Sequence, residues 1–301
     1  MLVASDVRAA EAAILNAPFE ERGWERATLA IAQATGSSAA QLLGFGGPLL
    51  LPLNVVAGEI GGPTGHLCNA HLYGPCNWRI NSVGPAMSVQ HEAHYRAYAA
   101  THDTSDYDDA VADVDLPFGC QSAMAVDSGR LIGISLLRRR RDRACDDEVL
   151  QRFLYLRTHL WRSIRAQLAM DGETAQLMLG DMEAMQCATV LLDRHGLLSE
   201  MTPAAEALFD DGGPLRLLGL SVHMAPARCD TAFQLLLGLL LGPDGPSLAE
   251  TRIAVPGPTG AVWRVVGTRL PTREHGLGFE PCLALTFRPV ARPLRLGPPH
   301  G

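Results

Sequence analysis

Apolar residues recur at α-helical spacing from Asp146 to Met185, near the middle of the chain. Three acidic residues open this segment, and acidic side chains stabilise the N-terminus of a helix. An apolar stripe of this length is too long for one small domain to bury, and it is typical of a helix that pairs with another helix. We therefore predict a long connecting helix over residues 145–186 that forms a dimer. The candidate interface residues are Phe153, Leu156, Leu160, Ile164 and Leu168.

Shorter periodic segments on either side of this helix predict two domains that each combine helices with β-strands. Before it, we predict helices over 5–16, 24–35 and 91–101, a strand from Gln41, and a hairpin of residues 121–126 and 131–137. After it, we predict strands over 189–193, 197–201, 250–255, 262–270 and 283–288, with helices that begin at Thr202 and at Ala232. The predicted fold class is α+β, with two modules over 1–144 and 187–290, each an antiparallel sheet flanked by helices.

The composition supports folded domains and removes several catalytic mechanisms. The chain has 301 residues, 47% of them hydrophobic, which is enough for about two ordinary domains. All 25 cationic side chains are arginine, so a Schiff-base lysine and a phosphate-loop lysine are excluded. The sequence has no G-x-S-x-G or G-x-G-x-x-G motif. We expect no enzyme activity and no cofactor.

Charge and cysteine usage indicate a cytoplasmic protein. The net charge of -7 disfavours contact with phosphate backbones. The seven cysteines are odd in number and lack paired spacing, which favours free thiols in a reducing compartment. The longest apolar run, 233–242, is shorter than a membrane span, and no signal peptide is evident. We therefore expect no membrane contact.

Two groups of histidines and cysteines resemble metal sites, and neither has the required spacing. His66, Cys68, His71 and Cys76 form H-x-C-x2-H-x4-C, whereas structural zinc sites use paired C-x2-4-C or H-x3-5-H spacing. A loop with buried cysteines is the preferred interpretation. In the segment 91–94 the two histidines are three residues apart, whereas the zincin motif requires four. We expect one of them to pack inward and the other to be solvated, with no metal bound.

Two charged clusters and one cysteine also have simple structural explanations. The acidic segment 103–115 lacks the glycine and glutamate of a calcium-binding loop, so a solvated surface is predicted. The arginines of 138–143 stand beside Asp142, Asp146 and Asp147, and ion pairs at the start of the long helix are predicted. Cys120 is predicted to be buried, because a redox role requires an exposed, stabilised thiolate.

The first module contains the candidate ligand site. Aromatic walls with a few polar groups are the usual composition of a small-molecule pocket. An ordinary aromatic core has the same composition, and the sequence leaves both alternatives open. The candidate residues are Trp78, His91, Tyr95, Tyr98, Phe118 and Gln121.

Four stretches of the chain resemble one family of proteins. Residues 40–55 (AQLLGFGGPLLLPLNV), 91–98 (HEAHYRAY) and 116–121 (LPFGCQ) resemble the N-terminal sensory region of certain LuxR-type helix-turn-helix regulators. Residues 191–208 (LLDRHGLLSEMTPAAEAL) resemble the PAS-like second module of the same proteins. The four stretches also follow one another in the same order as in those regulators.

This resemblance implies a GAF-like module, a connecting helix and a PAS-like module in a bacterial transcription regulator. It implies a homodimer that binds a small-molecule signal. In that family a linker leads into a C-terminal DNA-binding domain, and residues 291–301 resemble a truncated linker. DNA would then be contacted only through a missing domain or a partner. The alternative expectation is an adaptor that binds no ligand and associates with full-length regulators.

Overall fold

The computed structural model describes residues 2–45, 53–59, 77–105, 107–109, 115–125, 131–210, 212–225, 227–255, 262–273 and 275–290. Within these residues the fold is α+β with antiparallel sheets, as predicted. The chain forms two compact units. The first comprises Met1–Gln167 and Glu274–Leu277, and the second comprises Leu168–Arg273 and Gly278–Gly301. None of the described helices is long and apolar enough to cross a membrane.

The first unit contains a four-stranded antiparallel sheet with the strand order β2-β1-β4-β3. Its strands are β1 (Ala39–Phe45), β2 (Asn54–Gly58), β3 (Phe118–Ala125) and β4 (Leu131–Arg138). Before the long helix, the described residues include the helices α1 (Leu2–Asn16), α2 (Gly23–Ala34), α3 (Trp78–Asn81) and α4 (Glu92–Ala99). The predicted hairpin is therefore present as β3 and β4, whereas β2 and α3 were not predicted.

Strand register brings polar residues from three strands into one row. Gln41 of β1 lies opposite Ser135 of β4, and Ser135 lies opposite Gln121 of β3. Side chains two positions apart along a strand point to the same face of a sheet. The row formed by Leu43, Gly133 and Ala123 therefore shares this face. The sheet thus has a polar centre on one of its faces.

The long helix, α5, extends from Asp147 to Ala184, within two residues of the segment whose periodicity predicted it. The Asp146 side chain accepts a hydrogen bond from the Val149 amide at 2.9 Å, which is an N-terminal cap. The chain leaves the helix through Gln186, whose φ of 53° lies in the left-handed region. The helix α5 therefore begins after the Asp146 cap and ends before the left-handed Gln186.

The apolar stripe in the first part of α5 is covered by the chain itself. Phe153, Leu156, Leu160 and Ile164 are each at most 1% exposed. The Ser163 hydroxyl donates to the Ile14 carbonyl of α1 at 2.6 Å, which ties α5 to the N-terminal helix. These four residues, predicted as a dimer interface, are already buried in the single chain without a second copy. Leu168 is partly buried and falls in the second unit.

The second unit contains a five-stranded antiparallel sheet with the order β6-β5-β11-β10-β9. Its strands are β5 (Ala188–Asp193), β6 (Leu198–Met201), β9 (Leu248–Ala254), β10 (Val262–Arg269) and β11 (Pro281–Val290). Between β6 and β9 the chain forms a two-stranded sheet and two helices, namely β7 (Leu215–Leu218), β8 (Ser221–Met224), α6 (Pro203–Glu206) and α7 (Ala227–Leu241). The pair β7 and β8 was not predicted, and α7 begins five residues before the predicted start at Ala232.

Candidate functional site

An aromatic cluster lies in the first unit around Trp78, the first residue of α3. The Trp78 ring stacks on Tyr98 with 5.5 Å between the ring centroids. It makes edge contacts with Tyr95 at 5.5 Å and with Tyr107 at 6.0 Å. Such ring pairs stabilise a structure beyond the effect of their buried area. The cluster therefore fixes α3 against α4 and the segment 107–109.

Local hydrogen bonds hold α3 in place. The Asn77 side chain accepts from the Arg79 amide at 3.1 Å and so caps this short helix. The Trp78 ring N–H donates to the Asp108 carboxylate at 3.1 Å, and the Thr104 hydroxyl donates to the same carboxylate at 2.6 Å. Asp108 was predicted to be solvated surface, and it instead anchors the central ring of the cluster.

The guanidinium group of Arg79 lies among the aromatic rings. Its central carbon lies 4.9 Å from the Tyr95 ring centroid, 5.5 Å from that of Tyr107 and 5.8 Å from that of Trp78. Its Nη2 donates to the Pro117 carbonyl at 2.8 Å. Arg79 is only 7% exposed, and its buried Nε has no hydrogen-bond partner. A buried cation with so few acceptors requires a further explanation.

A cavity lies between this cluster and the polar row of the sheet. Tyr95, Tyr107 and Arg79 line it on one side, and Gln41, Ser135 and Gln121 line it on the other. Its volume of about 30 Å³ holds only one or two water molecules. A larger ligand would therefore require side chains to move.

Both glutamines of the row are buried, and each makes one hydrogen bond near the cavity. The Gln41 amide donates to the Asn54 side chain at 2.8 Å, and the Gln121 amide donates to the Arg79 carbonyl at 2.5 Å. Burial raises the pKa of Tyr95 well above its usual value, although the charge of Arg79 lowers it. The Tyr95 phenol therefore keeps its proton at neutral pH and can donate a hydrogen bond.

Only part of the predicted ligand set lines this cavity. Tyr95 and Gln121 line it, and Trp78 and Tyr98 support it through ring stacking. Phe118 is partly buried at the start of β3 and is not among the lining residues. Sequence reasoning missed Arg79, Tyr107, Gln41 and Ser135. Arg79 carries no local signal in the sequence, because only the fold brings Tyr95 and Tyr107 to its side chain.

The histidines of the segment 91–94 occupy the start of α4, away from the cavity lining. The His91 and His94 rings make an edge contact at 4.8 Å, and the His91 amide donates to His94 Nδ1 at 3.4 Å. His91 is partly buried and His94 is exposed, which agrees with the expectation that one of the two packs inward and the other is solvated. His102 is the histidine that stacks on Tyr98, at 4.0 Å.

Glu92 connects α4 to two other parts of the first unit. Its carboxylate accepts from the Gly119 amide at 3.1 Å, at the start of β3. It also accepts from the Cys145 amide at 3.0 Å, two residues before α5 begins. A displacement of α4 would therefore act directly on the segment that leads into the long helix.

The arginine cluster before α5 forms ion pairs, as predicted, and one of the predicted partners is used: Arg141 Nε lies 3.6 Å from Asp142 Oδ1. Arg140 pairs with Asp115 at 3.0 Å, and Arg141 pairs with Glu59. Arg138 is buried, and its guanidinium donates to backbone carbonyls, including that of Thr35 at 3.0 Å. The expected partners Asp146 and Asp147 are not used by these three arginines, because Asp115 and Glu59 come close through the fold.

The candidate metal ligands lie partly outside the described residues, and Cys120 is a buried thiol. No group of three or more His, Cys, Asp or Glu side chains among them is placed to hold a metal ion. The motif of His66, Cys68, His71 and Cys76 lies outside the described residues, as do Asp106 and Asp113 of the acidic segment. Cys120 is buried, as predicted, and burial raises the pKa of its thiol well above the usual value.

A second cavity, of about 210 Å³, lies within the second unit. Three arginines line it, and two of them have known partners: Arg273 pairs with Asp171 and Glu280, and Arg269 donates to the carbonyls of Gly242 and Gly245. Burial raises the pKa of Cys282, which also lines it, to about 12. This thiol therefore stays protonated at neutral pH.

Comparisons with known proteins give weak similarities. No protein-family model matches the sequence, and no curated protein is similar to it at a significant level. Among solved structures, the chain is similar to the N-acylhomoserine lactone-dependent LuxR-family transcription factor CepR2 of Burkholderia cenocepacia. The sequence identity is 18%, the TM-score is 0.37, and the alignment covers 56% of this chain and 96% of the other.

The chain is also similar to the LBD domain of VqsR from Pseudomonas aeruginosa. Here the identity is 16%, the TM-score is 0.36, and the alignment covers 54% of this chain and 96% of the other.

Proposed function

We propose that the chain is the sensory part of a bacterial LuxR-type transcription regulator, and that its first unit binds a small-molecule signal. The observation that carries this proposal is the cavity between the aromatic cluster and the polar row. Buried polar groups destabilise a core unless they are hydrogen-bonded. Arg79, which keeps a buried donor without a partner, and a row of polar side chains line one cavity. Polar groups that converge in this way are typical of a ligand site, in which the bound molecule supplies the missing partner.

The finer assignment of modules is part of the same proposal. The first unit, an antiparallel sheet accompanied by helices, is consistent with a GAF-like module. The second unit contains, in chain order, two strands, two helices and three further antiparallel strands, with the pair β7 and β8 between the two helices. The five strands outside that pair form the sheet β6-β5-β11-β10-β9. This sequence of elements supports a PAS-like module. DNA would be contacted through another domain or a partner.

The proposed relay from the cavity to α5 uses Glu92. A ligand that displaces Tyr95 moves α4, and Glu92 at the start of α4 bonds to the Cys145 amide just before α5. The start of α5 then changes position, and a homodimer transmits that change to an output domain. The role is one of binding, without catalysis.

Thermal unfolding of the whole chain tests the ligand site. The probes are N-acylhomoserine lactones with short and long acyl chains, together with aliphatic and aromatic carboxylic acids. We expect at least one compound to raise the midpoint temperature of unfolding. A ligand at about 100 times its Kd stabilises the folded state by about 2.7 kcal/mol. Ala123→Val, which narrows the cavity, should abolish the increase.

A matched substitution provides the control. Ala284→Val also adds two methyl groups to a buried strand alanine, but in the second unit. It should keep the ligand response of the wild-type protein even if overpacking lowers its own stability. The proposal fails if no compound stabilises the protein, or if Ala123→Val responds as the wild type does.

An adaptor role without ligand binding is the second candidate, and exposed leucines favour it. Leu235 is 70% exposed and Leu239 is 53% exposed. They lie four residues apart on α7 and therefore on one face of that helix. Exposed apolar patches mark association surfaces. A protein that responds to no compound, and whose self-association in sedimentation is lost on Leu235→Glu, would favour this role.

A further inference from the structure

We infer that the molecule bound in the first cavity carries a carboxylate group, and that Arg79 recognises it. This inference deepens the proposed ligand-binding function and depends on it. The inference of a carboxylate ligand rests on the charge, the orientation and the surroundings of the Arg79 guanidinium.

The first observation is that Arg79 is a buried cation whose hydrogen-bonding capacity is largely unused. A guanidinium has five N–H donors. Within the described residues, Arg79 has one side-chain hydrogen bond, to the Pro117 carbonyl, and no ion pair, and its buried Nε has no partner. Since an uncompensated buried charge strongly destabilises a folded protein, a group that supplies an opposite charge is expected nearby.

The second observation is that the aromatic rings hold this guanidinium but do not neutralise it. Contacts with the faces of Tyr95, Tyr107 and Trp78 offset part of the loss of hydration. They also fix the orientation of the planar group at the cavity wall. A fixed guanidinium edge matches the two oxygens of a carboxylate, which arginine binds with charge-assisted hydrogen bonds.

The third observation concerns the rest of the cavity lining. Near Arg79, the Tyr95 phenol and the Ser135 hydroxyl are additional groups that can donate to an oxygen. Leu43, Ile80 and Val83 provide an apolar wall. This combination of one cation, hydroxyl donors and an apolar wall suits a carboxylic acid with a short apolar body.

Pairs of probes that differ only in charge test this inference on the full chain. The pairs are hexanoate with hexanamide and benzoate with benzamide. Titration calorimetry should show that the wild-type protein binds each acid on the order of tenfold more tightly than its amide, the effect of one charge-assisted interaction. This comparison uses only the wild-type protein, so it does not depend on whether any variant folds.

Substitutions of two arginines, Arg79 and Arg157, assign the preference to a residue. Arg79→Met should remove the preference for the acid over the amide, whereas Arg79→Lys should retain part of it, because lysine keeps the charge. Arg157→Met is the matched control, since Arg157 also has a buried Nε without a partner but does not line the cavity. It should keep the full preference.

The outcomes separate this inference from the proposed function. Equal binding of acids and amides by the wild type, or an unchanged preference in Arg79→Met, overturns the role of Arg79 but leaves a ligand site. If N-acylhomoserine lactones bind and neither acid binds, the role of Arg79 is likewise overturned and the ligand site remains. If no probe of any kind binds, the proposed function fails together with the inference.

Discussion

Two arginines of the first unit are buried in different ways. Arg138 of β4 donates to the carbonyls of Thr35 at 3.0 Å, Gly36 at 3.2 Å and Arg143 at 2.9 Å. Arg79 donates to one carbonyl, and the rest of its guanidinium lies against aromatic rings at the cavity wall. Arg138 thus fastens the chain between α2 and β4, whereas Arg79 keeps donors available. This difference predicts different effects on stability.

Arg138→Met should lower the free energy of unfolding by about 3 kcal/mol, because several buried carbonyls lose their donor. Arg79→Met should cost about 1 kcal/mol or less, since methionine fills a similar space and removes an uncompensated charge. Urea denaturation at neutral pH measures both values. A loss for Arg79→Met as large as that for Arg138→Met would show that Arg79 is a structural residue.

Asp142 predicts a pH dependence of stability. Burial raises the pKa of its carboxyl group, but hydrogen bonds from Ser38 and from the Arg139 amide, with the charge of Arg138, outweigh burial and hold the pKa below its usual value. A lowered folded-state pKa stabilises the protein above the unfolded pKa of about 3.9, and this contribution is lost as the pH falls through the folded-state value.

Asp142→Asn should therefore be about 1 kcal/mol less stable than the wild type at pH 7. The difference should shrink once the pH falls below about 4. Urea denaturation of both proteins across this range gives the comparison. If the difference in the free energy of unfolding between the two proteins stays constant with pH, the charge of Asp142 does not contribute to stability.

At the scale of elements, α5 has two kinds of apolar position. Its first part buries Leu160 and the neighbouring residues of the stripe within the first unit, whereas Leu177, further along, is 78% exposed. The same periodic pattern therefore serves as core at one end and as free surface at the other. An association through α5 would use the exposed positions.

Leu160→Ala should lower the free energy of unfolding by about 2–5 kcal/mol, because it leaves a cavity in a packed core. Leu177→Ala on the same helix should change it by less than about 0.5 kcal/mol. Chemical denaturation and sedimentation of both variants separate stability from association. A stable but monomeric Leu160→Ala variant would restore this stripe as a dimer interface.

At the scale of the whole molecule, the sequence predicted most of the elements but less of the cavity. Helical and strand periodicity placed α2, α5, β4 and β10 close to their observed bounds, since one buried face fixes the pattern locally. The pair β7 and β8 was missed, because strands of four residues give little periodic signal.

The polar row was missed for a different reason. Gln41, Gln121 and Ser135 are separated by many residues in sequence, and only strand register brings them together. Register is a property of the folded sheet, so the sequence pointed to Gln121 without the residues that the sheet places beside it, Gln41 and Ser135. Arg79 was hidden similarly, because nothing local shows that its side chain lies among the rings.

The most direct measurement is hydrogen–deuterium exchange of the full chain, with and without the panel of lactones and carboxylic acids. If the first unit holds the ligand, at least one compound should slow exchange in α3 and α4, which carry Arg79 and Tyr95, and around Cys145 before α5. Ala123→Val should show no such protection. Protection confined to the second unit, or no protection with any compound, would contradict a ligand site at Arg79.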